Sequence, residues 1–489
     1  MNYYKISGTL LFILFYSWSL PVQAQENKIE RPNIIFFMTD DMGWGDLGCY
    51  GHSTIKTPNI DRFASENMLM TDCHSASPVC SPTRAAMLTG RTPYRNGVYA
   101  VSVGTYIPYL LEEEITLPEI LQEQGYATCH VGKWHLGEFE PVPGQSPPDN
   151  AGFDHWFATV SRARPDHLNP TNYYRNGKPL GQLEGYSAGL IVDEAIRWLS
   201  EIKAAEQPFF LNIWTHEPHT VLGTAQPFLE IYDYEDLAEG VRKYYGNISQ
   251  IDAAFGKLID FLQSTGQYEN TIILFTSDNG ASWHPDHLDR VQESTGWLRG
   301  AKAWLYEGGI RVPGLIHWPG KTKRGSISHA TVNGTDYFPT ILDALDIPLP
   351  ENKVIDGISL LPMMEGGELP ERENPLFWRY DGVDNHLTMA LREGDWILLS
   401  DKKFDYCELY NLAEDWQQRN NLVYEEMDRF ADMKKKLIAW NESVEKDGPD
   451  WWKDNPDPLA RWKKNNIEGI TRHLQGIIPE KRPFPFPEE

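Results

Sequence analysis

The sequence predicts an α/β fold built on a large, mostly parallel sheet flanked by helices, with a smaller α+β unit at its C-terminal end. Short, near-continuous apolar runs alternate with stretches of helical period, the pattern of a sheet covered on both faces. Past about Leu345 that alternation gives way to prolines, glycines and shorter runs. Each of the long apolar runs also ends in a polar cluster, which is where a parallel sheet binds its ligands.

The elements follow in order. Residues 33–38 (NIIFFM) are apolar at all but the first position, as a strand buried on both faces must be. Residues 127–131, 208–214 and 271–275 read the same way. Between them, residues 117–124, 189–204 and 244–264 read as helices; in the last, Ile248, Ile251, Phe255, Leu258 and Leu262 recur at helical spacing. Pro348, Pro350, Gly357, Pro362, Gly366, Gly367, Pro370 and Pro375 mark a connector. Beyond it, 376–378 and 396–399 read as antiparallel strands and 425–440 as one amphipathic helix, while the Trp-, Pro- and Lys-rich tail from Asp447 takes no assignment. The expected division is a signal peptide over 1–24, a catalytic domain over 25–370 and a smaller subdomain over 371–489.

In the first segment Lys5 supplies a positive start, residues 10–15 (LLFILF) the apolar heart, and Val22-Gln23-Ala24 a small-residue cleavage site. The expected product is exported, periplasmic or secreted, without stable membrane insertion. A net charge of −25 argues against nucleic acid as a partner. It accommodates an anionic substrate only where basic groups converge locally. Five cysteines (Cys49, Cys73, Cys80, Cys129, Cys407) are too few and too odd for a disulfide framework, and none has zinc-site spacing. Cys80 is the candidate for a thiol with a chemical task.

The strand ends supply the candidate site. The first run leads into Asp40 and Asp41, the second into Lys133 and His135, the third into His216 and His219, the fourth into Asp278 and Asn279. Three carboxylates and an amide oxygen are hard donors that suit Ca²⁺ or Mg²⁺ better than zinc. Lys133 and His135, two apart, share a side in extended chain. The run CSPTR, Cys80 to Arg84, reads as a helix start, with Ser81 able to cap and Pro82 tolerated in the first turn. Residue 80 then lies at the positive end of the helix dipole.

These residues together resemble a family. CSPTR followed by LTGR is similar to the C-x-P-S/T-R signature of the type I sulfatases. PNIIFFMTDDMGWGDLGCYG, GYATCHVGKWHLG, TSDNG, KAWLYEGGIRVP and ELYNLAEDWQQRNNL resemble that family's other motifs, in its order, from about Pro32 to about Leu422. The resemblance implies the alkaline-phosphatase-like sulfatase fold and hydrolysis of sulfate monoesters. It implies that a transient partner, a formylglycine-generating maturation enzyme, oxidises Cys80 to Cα-formylglycine (3-oxoalanine). It also implies one Ca²⁺, in preference to Mg²⁺, held by Asp40, Asp41, Asp278, Asn279 and residue 80. By the same resemblance the hydrate of residue 80 is the nucleophile and Arg84 supports it. Lys133 and Lys302 hold sulfate oxygens, His135 drives sulfate release, and His219 contacts the sulfate or protonates the leaving oxygen, with His216 the weaker competitor. Ser161 is the nearest match to a further polar position of the family.

The expected substrate is a sulfated oligo- or polysaccharide, such as ulvan, carrageenan or a glycosaminoglycan. Arg162, Arg164 and His167 either contact its neighbouring anionic groups or lie on the surface; His284 and His287 are weaker candidates of the same kind. Asn247-Ile248-Ser249 fits a glycosylation sequon. Two rival readings are a phosphatase or phosphonate hydrolase on the related scaffold, and a catalytically silent glycan-binding protein.

Overall fold

The computed structural model describes Met1 and residues 31–102, 108–140, 143–202, 207–233, 237–282, 291–383, 385–449 and 478–487. The signal-peptide reading, His284, His287 and most of the Trp-rich tail lie outside the described residues.

The described strands of the first part of the chain are β1 (Asn33–Asp40), β2 (Met68–Met70), β3 (Cys73–His74), β4 (Ala127–Lys133), β5 (His155–Thr159), β6 (Tyr174–Arg175), β7 (Lys178–Pro179), β8 (Phe209–Pro218), β9 (Thr271–Ser277), β10 (Gly314–His317), β11 (Ile327–Ser328) and β12 (Val332–Asn333). Ten of them form one sheet in the order β11-β2-β10-β9-β1-β8-β4-β5-β6-β7. Its centre, β9-β1-β8-β4-β5, is parallel throughout. Antiparallel β10 joins it on one side and β6 on the other. The four apolar runs are thus neighbours, as a mixed sheet with a parallel core requires.

β1 shows why those runs are apolar throughout. Ile35 and Phe37 point into one core with the helices Ser187–Glu201 and Glu239–Ser264. Ile34, Phe36 and Met38 point into the other with the helices Cys80–Thr89, Leu117–Glu123 and Tyr337–Ala344. Alternate side chains of a strand face opposite sides, so a strand covered on both has no polar positions to spare.

The C-terminal part is an antiparallel meander, β13 (Leu376–Arg379), β14 (Met389–Glu393), β15 (Trp396–Ser400) and β16 (Cys407–Asn411). The helix Met427–Asp447 covers one face through Met433, Leu437, Trp440 and Val444. The other face packs on Val79, Ala303, Trp304 and Tyr306, neighbours in sequence of Cys80 and Lys302. No helix among the described residues is long and apolar enough to cross a membrane.

Candidate active site

The parallel register sets four strand ends at one level. Thr39 pairs with Ser277, Asp40 with Pro218, and Gly132 with Trp214. The residues just beyond therefore converge: Asp40 and Asp41 from β1, Lys133 and His135 from β4, His219 from β8, Asp278 and Asn279 from β9.

Asp41 turns the chain in the left-handed region, φ 69°, a conformation aspartate tolerates better than most residues. Its N–H donates to Asp278 Oδ1 at 3.1 Å. Asn279 Nδ2 donates to Asp41 Oδ1 at 2.8 Å. A carboxylate oxygen of Asp40, one of Asp278 and Cys80 Sγ lie within 4.8 Å of one another. The buried atoms Asp40 Oδ1 and Asn279 Oδ1 have no hydrogen-bond partner. Buried oxygens left unpaired are costly, and a hard cation would satisfy both. The donor set, all oxygen apart from residue 80, fits calcium.

Cations surround these carboxylates. Arg84, fully buried, donates through Nε and Nη2 to Asp278 Oδ2 at 3.1 and 2.6 Å and through Nη1 to Lys133 O at 3.1 Å. Its guanidinium lies 5.0 Å from the centre of the Trp214 ring, a contact the sequence reading missed although Trp214 ends an apolar run. Lys133 Nζ donates to Asp40 Oδ2 at 2.7 Å and Lys302 Nζ to Asp41 Oδ1 at 2.5 Å. Burial would raise the Asp41 pKa, but Lys302, His219 and Lys133 outweigh it and hold the carboxyl well below its usual range. Asp278 goes the other way, pushed up to about 6 by burial and by Asp40 against the pull of Arg84.

Cys80 is the first residue of the helix Cys80–Thr89, after Val79 at the cap position. The expectation that Ser81 caps this helix is corrected: Ser81 is already inside it, and its Oγ accepts from Ser102 N–H at 3.0 Å. The first-turn N–H groups therefore have no side-chain cap at Val79, and residue 80 sits at the positive end as expected. Its Sγ lies 3.2 Å from His135 Nδ1. Burial raises the Cys80 thiol against the nearby lysines, so it is not a thiolate nucleophile. Burial and the surrounding cations keep His135 neutral.

Lys302 reaches the site through tight backbone contacts. Its N–H donates to Ala281 O at 2.9 Å, and Gly280 N–H to Gly309 O at 3.0 Å. A Cβ at Gly280 would stand 2.0 Å from Gly308 O, so only glycine lets the two loops meet.

His219 Nε2 lies 3.8 Å from Asp41 Oδ2 while Nδ1 donates to Thr220 O at 2.7 Å. Its side chain is 22% exposed, more than the other site side chains Asp41, Lys133 and Lys302. His216 is locked inside by Thr159 Oγ1 at 2.6 Å, Ser187 Oγ at 2.9 Å and Tyr173 OH at 3.2 Å, which removes it as a competitor. Ser161 takes part through its backbone carbonyl, which accepts from Thr159 Oγ1 at 3.2 Å. Arg162 and Arg164 are exposed. His167 is neither on the surface nor open to anions: it is 1% exposed and bonded to Asn247. Asn247 is itself fully buried in the helix Glu239–Ser264, so the sequon is not available for glycosylation in the folded chain.

Comparison with known proteins decides the family. The sulfatase family model matches residues 32–347, and a second, the C-terminal region of N-sulphoglucosamine sulphohydrolase, matches residues 295–445. The chain belongs to the sulfatase family. N-acetylgalactosamine-6-sulfatase of Canis lupus familiaris is 37% identical over 380 residues, covering 71% of this chain and 68% of the relative. Among solved structures, Ps i-CgsB superposes with a TM-score of 0.78 at 24% identity, over 91% of this sulfatase and 100% of that chain. BT4656, solved with its substrate D-glucosamine-2-N,6-O-disulfate, gives 0.69 at 25% identity over 88% and 99%. The fold expected from the sequence is thus the fold of this sulfatase, and its reaction is hydrolysis of sulfuric esters.

Proposed function

We propose that this sulfatase removes sulfate from sulfated saccharides, with amino-sugar sulfate esters of the glycosaminoglycan type as its substrates, after conversion of Cys80 to formylglycine and binding of one Ca²⁺. The observation that carries this is the convergence of Asp40, Asp278 and Cys80 ligand atoms with two lysines and Arg84 at one level of the sheet. The names and bound substrate of N-acetylgalactosamine-6-sulfatase and BT4656 point to the amino sugar.

Three carboxylates face three fixed cations, so the side chains alone are close to neutral. Bound calcium and the aldehyde hydrate of residue 80 would supply, respectively, the excess positive charge that an ester monoanion needs and a hydroxyl nucleophile. Asp40, Asp41, Asp278 and Asn279 would hold the ion. Lys133 and Lys302 are placed to bind the outer sulfate oxygens and to stabilise the charge that builds on them. Arg84, anchored on Asp278, fixes the base of the pocket. His135, against residue 80, takes the proton whose loss lets sulfate depart. His219 hands a proton to the leaving sugar oxygen. Burial, Lys302 and Lys133 hold His219 down to about 3 against Asp41; the negative charge of a bound ester raises it, toward the protonated form that donates. An exported chain met by the maturation enzyme before folding completes the reading.

Two measurements test it. In a host with maturation machinery, the peptide carrying Cys80 should be roughly 18 Da lighter, the change from thiol to aldehyde. A panel of defined sulfated oligosaccharides, with the desulfated carbon read by NMR, should show release from amino-sugar esters. An unmodified peptide, or release only from phosphate esters, would reject the proposal.

A further inference from the structure

His219 opens a segment, residues 219–225, that leaves the sheet at the end of β8. Its backbone N–H donates to His216 O at 2.9 Å, and beyond that the segment is held from the helix Glu239–Ser264. Asn247 Nδ2 donates to Gly223 O at 3.0 Å and Thr224 Oγ1 at 2.8 Å. Gln250 Oε1 accepts from Ala225 N–H at 2.5 Å. Because the Asn247 amide nitrogen is committed to these acceptors, its Oδ1 is the acceptor toward His167 Nδ1, 2.8 Å away. His167 and Asn247 are 1% and 0% exposed, so this contact is shielded from water. The segments approach too closely for any side chain between them: a Cβ at Gly223 would stand 2.4 Å from Asp166 Oδ1 and 2.5 Å from Leu168 N.

We propose that His167 and Asn247 are positioning residues that fix His219 at the leaving-group side of the reaction. Neither faces the ester; they act by holding the backbone from which the His219 ring projects. The inference rests on the reading of His219 as the proton donor to the leaving oxygen. A donor displaced by about 1 Å loses up to about 100-fold, and the loss falls only on esters whose leaving oxygen needs the proton.

The experiment compares two esters, an activated aryl sulfate whose phenolate departs unaided and a sugar sulfate whose alkoxide does not. Variants are His219→Ala, His167→Ala and His167→Asn, each checked for a cooperative thermal transition. His219→Ala should lower kcat on the sugar ester far more than on the aryl ester. His167→Ala should repeat that selectivity, with kcat down about 10- to 100-fold on the sugar ester and less than about threefold on the aryl ester. His167→Asn, which keeps a donor toward Asn247 Oδ1, should recover most of it. If His167→Ala does not fold, Asn247→Asp, which loses the donors to Gly223 and Thr224, carries the comparison with the same expectation. Equal losses on both esters, or no loss, in a folded variant would overturn the positioning role. Absence of selectivity in His219→Ala itself would overturn the reading of His219 and the inference with it.

Discussion

Lys302 is the only one of the three site cations that remains partly open, its side chain 15% exposed against 1% for Lys133 and none for Arg84. It is therefore the site cation most open to solvent while it neutralises Asp41. Lys302→Ala is expected to lower kcat/KM by about 10²- to 10³-fold, the range for removing one preorganised charge donor. Lys302→Arg should restore little, since a forked guanidinium does not fill the place of a point-like ammonium; steady-state kinetics on one ester checks both. The unpaired Asp40 Oδ1 and Asn279 Oδ1 give a second prediction. Added calcium should stabilise the fold by about 2.7 kcal/mol at a hundredfold excess over Kd, read as a raised thermal midpoint, and a chelator should remove that gain; an unchanged midpoint would speak against the site. At this scale the acidic cluster was legible because carboxylates at the ends of apolar runs can be placed before the fold is known. The preference for His219 over His216 drew on resemblance, because both lie at the end of the same strand and the residues alone do not separate them. Only three-dimensional packing of Thr159, Tyr173 and Ser187 shows that one of them faces inward.

Among the elements, the short strands β2, β3, β5 to β7, β10 to β12, β14 and β16 carry no long apolar run and were not read; the starts of the long strands were readable almost to the residue, although β8 runs on to Pro218, four residues past its apolar run. Helix ends were less so. Residues 244–264 read as a helix, yet it begins at Glu239, because its first turns, EGVRK, are too polar to show the apolar stripe. The last helix was read to end at Trp440 but continues to Asp447, with Val444 alone extending the stripe past a polar turn. The junction of β5, β6 and the helix Ser187–Glu201 carries its own prediction. Glu194, 4% exposed, accepts from Arg175 Nη2 at 2.6 Å and Arg197 Nη2 at 2.5 Å and pairs with His155 Nε2 at 2.8 Å. Burial would raise its pKa; His155, Arg197 and Arg175 outweigh it and lower it below the usual carboxylate range. The carboxylate thus stabilises the fold above the ordinary glutamate pKa of about 4.3. That contribution fades as pH falls through the lower, folded value. Glu194→Gln should cost about 2 kcal/mol near neutral pH, moderated by the water around the two half-exposed arginines. The gap between the melting curves of variant and parent should narrow as pH drops below 4; a gap that is constant with pH would place the effect in packing instead.

Over the whole molecule, a net charge of −25 and a site for anions are reconciled because Lys133, Arg84 and Lys302 converge on the carboxylates at the strand ends. Holding them there takes distant parts of the chain. Arg392 of β14 donates to both oxygens of Asp72 at 2.9 and 2.6 Å, Arg311 meets the same carboxylate at 2.8 Å, and His74 Nε2 lies 3.1 Å from Glu307 Oε2. Asp72, His74 and Glu307 are close enough to hold an ion, but two arginines already answer their charge, so the cluster reads as a tie between the meander and the main sheet. Residues 478–487 make the second tie. Phe484 and Phe486 stack around Trp44, three residues past Asp41, with ring centres 6.3 and 5.8 Å away. Arg482 lies 4.2 Å over Trp297, five residues before Lys302, and Gln417 Nε2 donates to both Trp297 O at 2.9 Å and Glu480 O at 2.8 Å. One short segment therefore presses on the loop that follows Asp41 and on the loop that carries Lys302. Phe484 is only partly buried, so Phe484→Ala should cost about 2 kcal/mol, below the 3–5 of a fully buried phenylalanine. If the segment serves only global stability, the variant melts lower by the same amount with and without calcium. If it holds the Trp44 loop in its ligating geometry, calcium should raise the variant's midpoint less than the parent's, and calorimetric titration should show weaker binding. We expect the second outcome, because Trp44 has Phe484, Phe486 and Trp416 within ring-contact distance and the removal of one leaves the loop free to shift beside Asp41.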